Sequence, residues 1–264
     1  MKIFPAFPKP AATLILLRDG SEGLETLMLL RDPKAYFAPG ALVFPGGRLD
    51  EGDRAKILRD YSDGASDLDD DMFSFYMAAI REAFEECGIL LGRSVGERDL
   101  ISRDRLKYLQ PYRNLLNRGE ISLGEFLKSE KIILACDRLT PFARWITPEK
   151  LPVRYDTFFF LAKAPVDHPG LHDGYESVDS FWITPKKLVE KSDAGKYFLM
   201  FPTRTNAVKL GESNNTEDAI AVARSSDIIT VMPVVEKRKT GTYVVIPQKA
   251  GYRVTEGLLA VPLK

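Results

Sequence analysis

Cysteine, histidine and net charge are what this chain of 264 residues has least of: two Cys, two His and a formal charge of zero. Cys87 lies in a helical motif and Cys136 in an apolar run, so there is no disulfide framework, and both read as reduced core thiols of an intracellular protein. His168 and His172 stand four apart, which invites a zinc reading. Pro169-Gly170 between them breaks any helix and no cysteine is near, so a structural or surface role is expected. The balance of 37 basic against 37 acidic residues excludes a protein held to nucleic acid by bulk phosphate attraction, while allowing a local pocket for a small anion. No run approaches the ~20 apolar residues of a membrane-spanning helix, and Met1 to Pro10 lacks the apolar core of a signal peptide. The ending Ala260-Val261-Pro262-Leu263-Lys264 is not a peroxisomal address, so the expected location is cytoplasmic, with no membrane partner.

What is present is chemistry concentrated in one place. Arg81-Glu82-Ala83-Phe84-Glu85-Glu86-Cys87-Gly88-Ile89 puts three carboxylates and an arginine on about two turns of helix. Positions three and four apart share a helix face, so Glu82, Glu85 and Glu86 point the same way and repel one another. A hard divalent cation would supply the missing counter-charge: Mg2+ prefers oxygen ligands, usually one or two carboxylates plus substrate phosphates. Arg81 lies four residues before Glu85, where its guanidinium can hold one carboxylate oxygen and leave the other for metal. Gly88 falls where a helix ends on a left-handed residue. The competing reading is a solvated acidic face with an ordinary cap.

Upstream, Ala41-Leu42-Val43 reads as the end of a buried strand, followed by Phe44-Pro45-Gly46-Gly47-Arg48-Leu49-Asp50-Glu51-Gly52-Asp53. Gly46 and Gly47 form a strand exit where backbone can approach a phosphate or metal. Strand, Gly-Gly loop, acidic segment and then Arg-Glu-x-x-Glu-Glu-x-Gly on a helix resembles the Nudix box, Gly-x5-Glu-x7-Arg-Glu-U-x-Glu-Glu-x-Gly-U with U bulky and aliphatic, of hydrolases that cleave nucleoside diphosphates linked to another moiety. Gly47 matches the opening glycine, Asp53 stands where Glu is usual, and Arg81 to Ile89 match the second half, with a smaller Ala83 at the first U. The spacer from Asp53 to Arg81 holds 27 residues, an insertion over 54–73, which is expected to loop out at modest cost because closure grows by only about 0.6 kcal/mol per doubling of length. Asp69-Asp70-Asp71 complement a helix start, so the motif helix is expected from near Asp70 to Cys87.

The long insertion, with Leu30-Arg31-Asp32 through Phe37-Ala38-Pro39-Gly40, Trp145-Ile146-Thr147-Pro148 and Arg154-Tyr155-Asp156-Thr157-Phe158-Phe159, resembles the Nudix branch of peroxisomal coenzyme A diphosphatases. That resemblance implies a mixed sheet in an α/β/α sandwich, and a metal-dependent hydrolysis of coenzyme A or acyl-CoA to 4'-phosphopantetheine and adenosine 3',5'-bisphosphate. Mg2+ or Mn2+ would sit on Glu85, Glu86 and Glu82 with Gly47. Glu82 would orient or deprotonate the attacking water, with Arg81 and Glu85 in support and Glu176 as the acid from outside the motif. Gly46, Gly47, Arg31, Arg154 and Asp156 are the candidate substrate contacts; an internal Arg154–Asp156 pair is the alternative. Nucleotide sugars, ADP-ribose and dinucleoside polyphosphates are the competing substrates, and a nucleotide-binding module without catalysis the competing class.

With 45% hydrophobic residues the chain can build one large α/β domain over 1–210, with 211–264 as an extension packed on it and a homodimer as a possible assembly. Strands are expected at Ala11–Leu17, Glu25–Leu30, Ala41–Phe44, Ile132–Cys136, Ala143–Trp145, Arg154–Ala162 and Val178–Trp182. Residues 97–131 read as helical, broken at Gln110-Pro111-Tyr112 and Gly119, and Thr184-Pro185 starts another helix. Ile228–Met232 and Thr242–Ile246 are expected to form a hairpin.

Overall fold

The computed structural model describes residues 6–35 and 38–259. Phe37 of the upstream motif, residues 1–5 of the N-terminal stretch and Ala260 to Lys264 lie outside the described residues. Along the chain run β1 (Lys9–Gly20), β2 (Gly23–Arg31), β3 (Ala41–Val43), β4 (Gly46–Arg48), β5 (Ser62–Asp63), α1 (Asp70–Cys87), β6 (Gly92–Ser94), α2 (Arg103–Asn117), α3 (Leu123–Glu130), β7 (Ile132–Ala135), β8 (Thr140–Ile146), β9 (Tyr155–Lys163), β10 (Ser177–Ile183), α4 (Pro185–Asp193), β11 (Phe198–Leu199), α5 (Phe201–Leu210), α6 (Thr216–Ser225), β12 (Thr230–Val231), β13 (Val234–Arg238), β14 (Gly241–Val245) and β15 (Glu256–Leu258).

β1 is the axis of the molecule. Its side chains alternate between faces, and both sets are apolar, so it must be covered on both sides. Ala12, Leu14 and Leu16 meet Phe158 and Phe160 of β9 in a core closed by α1, α2 and α3. Ile15 and Leu17 meet Phe159 and Leu161 in a second core closed by α4, α5 and α6. The sheet order is β11-β3-β2-β1-β9-β8-β12, with β10 also paired to β2 and β4 to β1. β1 and β9 run parallel from Lys9↔Tyr155 to Leu17↔Lys163, whereas β1–β2 and β8–β9 are antiparallel. This is the expected mixed sheet between helical layers.

Three expectations need correction. α2 does not break at Pro111; it runs through it, because Pro111 is exposed while Leu106, Leu109 and Leu116 bury one face of the helix. The break falls at Gly119, with φ +65°, and Ser122 and Glu125 then form a capping box for α3. Residues 97–102 are not helical. The insertion is folded instead of looped out: Lys56–Tyr61 is a 3-10 segment with Leu58 fully buried, β5 pairs with β7, and Arg59 lies over the Phe73 ring. Finally, the C-terminal hairpin is β13 and β14, with Val234 opposite Val245; Thr230–Val231 instead adds to the main sheet beside β8. Pro233 separates those two roles. Tyr252, from the extension, donates to Asn206 of α5 and accepts from the Trp145 indole of β8.

Candidate active site

Local signals fix α1 at both ends. Asp69 Oδ1 accepts from the Met72 N–H at 2.7 Å, and Asp70 and Asp71 occupy the first turn. At the other end Gly88 is left-handed (φ 68°), and the Gly88 and Ile89 N–H groups return to Phe84 O and Ala83 O. Glu82, Glu85 and Glu86 thereby fall on its last turn and a half, as the sequence predicts.

The glycine strand β4 lies directly on that face. It pairs with β1, Ala12 opposite Gly47 and Thr13 opposite Gly46. A Cβ on Gly46 would stand 2.4 Å from Ala12 O, and one on Gly47 would stand 2.5 Å from Glu82 Oε1. At Gly46 the obstacle is backbone and excludes a side chain; at Gly47 it is the carboxylate of Glu82, which a side chain would displace. The Gly46 N–H donates to Glu86 Oε2 at 2.8 Å.

Arg81 ties the two halves of the motif together. Its Nε donates to Asp53 Oδ1 at 2.9 Å and its Nη2 to Asp53 Oδ2 at 3.0 Å, a bidentate contact with a carboxylate that has no solvent exposure. Nη2 also reaches Arg48 O and Glu82 Oε1, each at 3.0 Å. Glu85, expected to be the chief partner, is a longer contact at 3.5 Å. Asp in place of the usual Glu at 53 therefore still reaches the arginine, because the 3-10 turn at Glu51–Arg54 carries the carboxylate inward.

One guanidinium faces Asp53, Glu82 and Glu85, with Glu86 alongside. Burial raises Glu82 and Glu85 to about 7 against the pull of Arg81, and their acidic neighbours push further the same way. Glu86 is raised well above the ordinary carboxylate range by burial and by Glu82. Burial opposes the charge on Arg81, but hydrogen bonding to Asp53 and the charges of Glu82, Asp53 and Glu85 outweigh it and raise its pKa. The face is short of positive charge.

Among the described residues, no three His, Cys, Asp or Glu side chains are gathered into a ready ligand set. The donors nonetheless suit a hard divalent cation: under-compensated carboxylates on one face, beside glycine backbone. Mg2+ needs only one or two of them, since substrate phosphates and water complete its shell.

Glu176 and Arg31 come to the same neighbourhood. Asp173 accepts the N–H groups of Tyr175, Glu176 and Ser177 at 3.0, 3.3 and 3.2 Å, and Glu176 Oε2 lies 3.3 Å from Arg31 Nη2. The Glu176 charge helps raise Glu86 and Arg31 opposes it, so both act on the carboxylate face electrostatically. Arg154 and Asp156 do not join them, nor do they pair with each other. Arg154 is buried, donating to Thr147 O at 3.0 Å and Ala6 O at 2.8 Å. Asp156 is held by Arg144 at 2.9 and 2.7 Å. It lines a cleft of about 420 Å³ with Arg54, Met72, Phe75 and Phe158, at the opposite end of α1. Met72 and Glu82 are ten residues apart, ~15 Å along the helix.

The histidines are not brought together on a shared site: His168 Nε2 lies 2.7 Å from Ile101 O and burial lowers its pKa, while the His172 ring Nδ1 lies 3.3 Å from Ser180 Oγ. Cys87 and Cys136 are free, buried thiols pushed up to about 12 by desolvation. Sequence reasoning gives no sign of Arg113 of α2, whose guanidinium lies on the Glu85 carbonyl. Nothing local marks it, since the contact exists only once α2 has docked on α1. No helix among the described residues is long and apolar enough to cross a membrane.

A family profile described as the NUDT19 Nudix domain matches residues 54–209, beginning one residue past Asp53. The chain is similar to a putative nudix hydrolase 7 of Caenorhabditis elegans, 30% identical over 207 residues, 76% of this chain and 61% of that protein. It is similar to the acyl-coenzyme A diphosphatase NUDT19 of Homo sapiens, 29% identical over 238 residues, 70% of this chain and 57% of that protein. It therefore spans about three fifths of the length of these curated relatives. A NUDIX hydrolase structure from Alicyclobacillus acidocaldarius, 26% identical, superposes with a TM-score of 0.70 over 84% of this chain and 99% of that one.

Proposed function

The chain belongs to the NUDT19 Nudix domain family, and on that premise we propose that it hydrolyses the diphosphate linkage of a coenzyme A-type substrate, using Mg2+ or Mn2+. The observation that carries this reading is the stack of Gly46 and Gly47 on Glu86 and Glu82, locked by Asp53 and Arg81. It is a face of hard donors with excess negative charge and open backbone, which suits a cation bridged to a diphosphate. The coenzyme A part rests on the similarity to the human acyl-coenzyme A diphosphatase.

Glu82, Glu85 and Glu86 would supply one or two ligands to each ion, which when bound neutralises charge developing on the diphosphate and acidifies water. A water oxygen forms the new bond to phosphorus and the bridging P–O bond breaks, giving 4'-phosphopantetheine and adenosine 3',5'-bisphosphate. Glu82, the carboxylate nearest to Gly47, is the candidate to orient that water or take its proton. Glu176, paired with Arg31, would be the acid from outside α1. Arg31, whose charge acts on Glu86, would contact the phosphates.

The test is a substrate panel with Mg2+ or Mn2+, scoring phosphate-ester products. Coenzyme A and acyl-CoA should turn over at least about tenfold faster than ADP-ribose, nucleotide sugars or dinucleoside polyphosphates, a difference of roughly 1.4 kcal/mol in barrier. The reverse order would sink the substrate assignment and leave the hydrolase; binding of diphosphates without turnover under either metal would sink both.

A further inference from the structure

The proposed acids come from separate elements, Glu82, Glu85 and Glu86 from α1 and Glu176 from the loop before β10, and one side chain touches the main chain of both. Arg113 projects from α2. Its Nε and Nη2 donate to Glu85 O at 3.3 and 3.1 Å, and the same Nη2 donates to Leu171 O at 3.1 Å. Nη1 donates to Gln110 Oε1 at 3.1 Å.

The Glu85 carbonyl belongs to the last turn of α1, where carbonyls lose their helical partners. Ala83 O and Phe84 O are taken by the N–H groups of Ile89 and Gly88 as the chain turns. Arg113 supplies donors to Glu85 O. Gly88 leaves the space for it, since a Cβ there would stand 2.9 Å from Arg113 Nη1. On the other side, Leu171 lies two residues before Asp173, whose carboxylate collects the N–H groups of 175 to 177 and so aims Glu176 at Arg31. The hydrogen bonds of Arg113 among the described residues all end on neutral oxygens. Its removal therefore strands no buried carboxylate, and what is lost is the fixed spacing between the two carbonyls.

We propose that Arg113 is a positioning residue that sets the register between the metal-face turn of α1 and the loop carrying Glu176. The inference rests on the reading of those carboxylates as a divalent-cation site. It requires the fork geometry of a guanidinium: a lysine at 113 keeps the positive charge but presents a single ammonium that cannot span both carbonyls with the same directions.

The experiment is a titration of the substrate-free protein with Mn2+ alone, followed by electron paramagnetic resonance, with thermal unfolding in parallel. It compares wild type, Arg113→Met and Arg113→Lys, with Glu85→Gln as the control that removes the site. Both substitutions at 113 should weaken Mn2+ binding by about tenfold, the lower end of what lost support behind a ligand does. For Arg113→Met this runs against simple charge, because removing a nearby cation would tighten the site. Wild-type or tighter Mn2+ affinity in a folded Arg113→Met overturns the proposal, and so does full recovery in Arg113→Lys, which reduces the residue to charge or stability. Should Arg113→Met not fold, Arg113→Lys alone decides. A wild type that binds Mn2+ but cleaves no diphosphate overturns the proposed hydrolysis and leaves this inference to be judged by the titration. A wild type that binds no Mn2+ removes both.

Discussion

Arg81 and Arg93 sit at the centre of two acidic clusters, each side chain 8% exposed, yet their carboxylates end in opposite states. Arg93 grips Asp137 at 2.8 and 2.7 Å and touches Asp63 at 3.3 Å. Asp137 is 40% and Asp63 57% exposed, and the hydrogen bond from Arg93 holds Asp137 below the ordinary carboxylate range. Around Arg81 the acids are drier, with Asp53 at 0%, Glu85 at 9% and Glu82 at 14%, and burial drives Glu82 and Glu85 up to about 7. An arginine satisfies acids that water also serves; it cannot satisfy several that water has left. The first cluster is balanced by its arginine and water, and the second keeps carboxylates that burial disfavours in their charged form.

The comparison can be broken most forcefully at its centre. Arg81→Met would leave Asp53 charged and buried without its partner, and should cost about 3–5 kcal/mol in urea unfolding. A loss under about 1 kcal/mol, as for an exposed pair, would mean that the two clusters are alike after all. Next in size is Glu85→Gln, which should cut turnover by roughly a hundredfold while leaving thermal stability equal or higher, because a neutral amide replaces a carboxylate that burial already disfavours. Full activity in that variant would remove Glu85 from the site.

A smaller effect separates the clusters by pH. Glu82 and Glu85 ionise near 4.5 when exposed and near 7 when folded, so across that window the native state holds more protons than the unfolded chain. Their contribution to stability is complete below about 4.5 and is lost as the pH rises through about 7. The melting temperature of metal-free protein should fall over that range, and saturating Mg2+ should restore it; a flat profile would contradict the charge deficit. The smallest change is Arg93→Met. With its acids largely in water, it should cost about 1 kcal/mol or less and leave turnover untouched.

Much of the site was legible because its signals are local. Asp69 and Gly88 mark α1 to the residue, since caps and left-handed glycines act within one turn. Gly46 and Gly47 announce a close approach, although only the fold shows Glu82 and Glu86 beneath them. What was hidden depends on distant partners. Arg154 and Asp156 share a strand mouth in sequence, but Arg154 falls just before β9 and the two meet different neighbours: the Thr147 and Ala6 carbonyls and Met232 for one, Arg144 of the adjacent strand for the other. Pro111 signals a break that the burial of Leu106, Leu109 and Leu116 overrides. The apolar run Ile228–Met232 looked like half of a hairpin because hydrophobicity alone does not say which sheet a strand joins.

The contact between Asp53 and Arg81 has one more consequence. It closes a stretch of 27 residues end to end, as a disulfide would in a secreted chain, but with two hydrogen bonds and opposite charges that no reductant can open. The segment ahead of α1, residues 54–68, is thereby relieved of holding the motif together, a task that stays with the clasp and with the helix from Asp69 onward. That outer segment can vary in length and fold as long as it still covers the core where Leu58 sits, reshaping the outline of the protein while the reacting groups stay where they are.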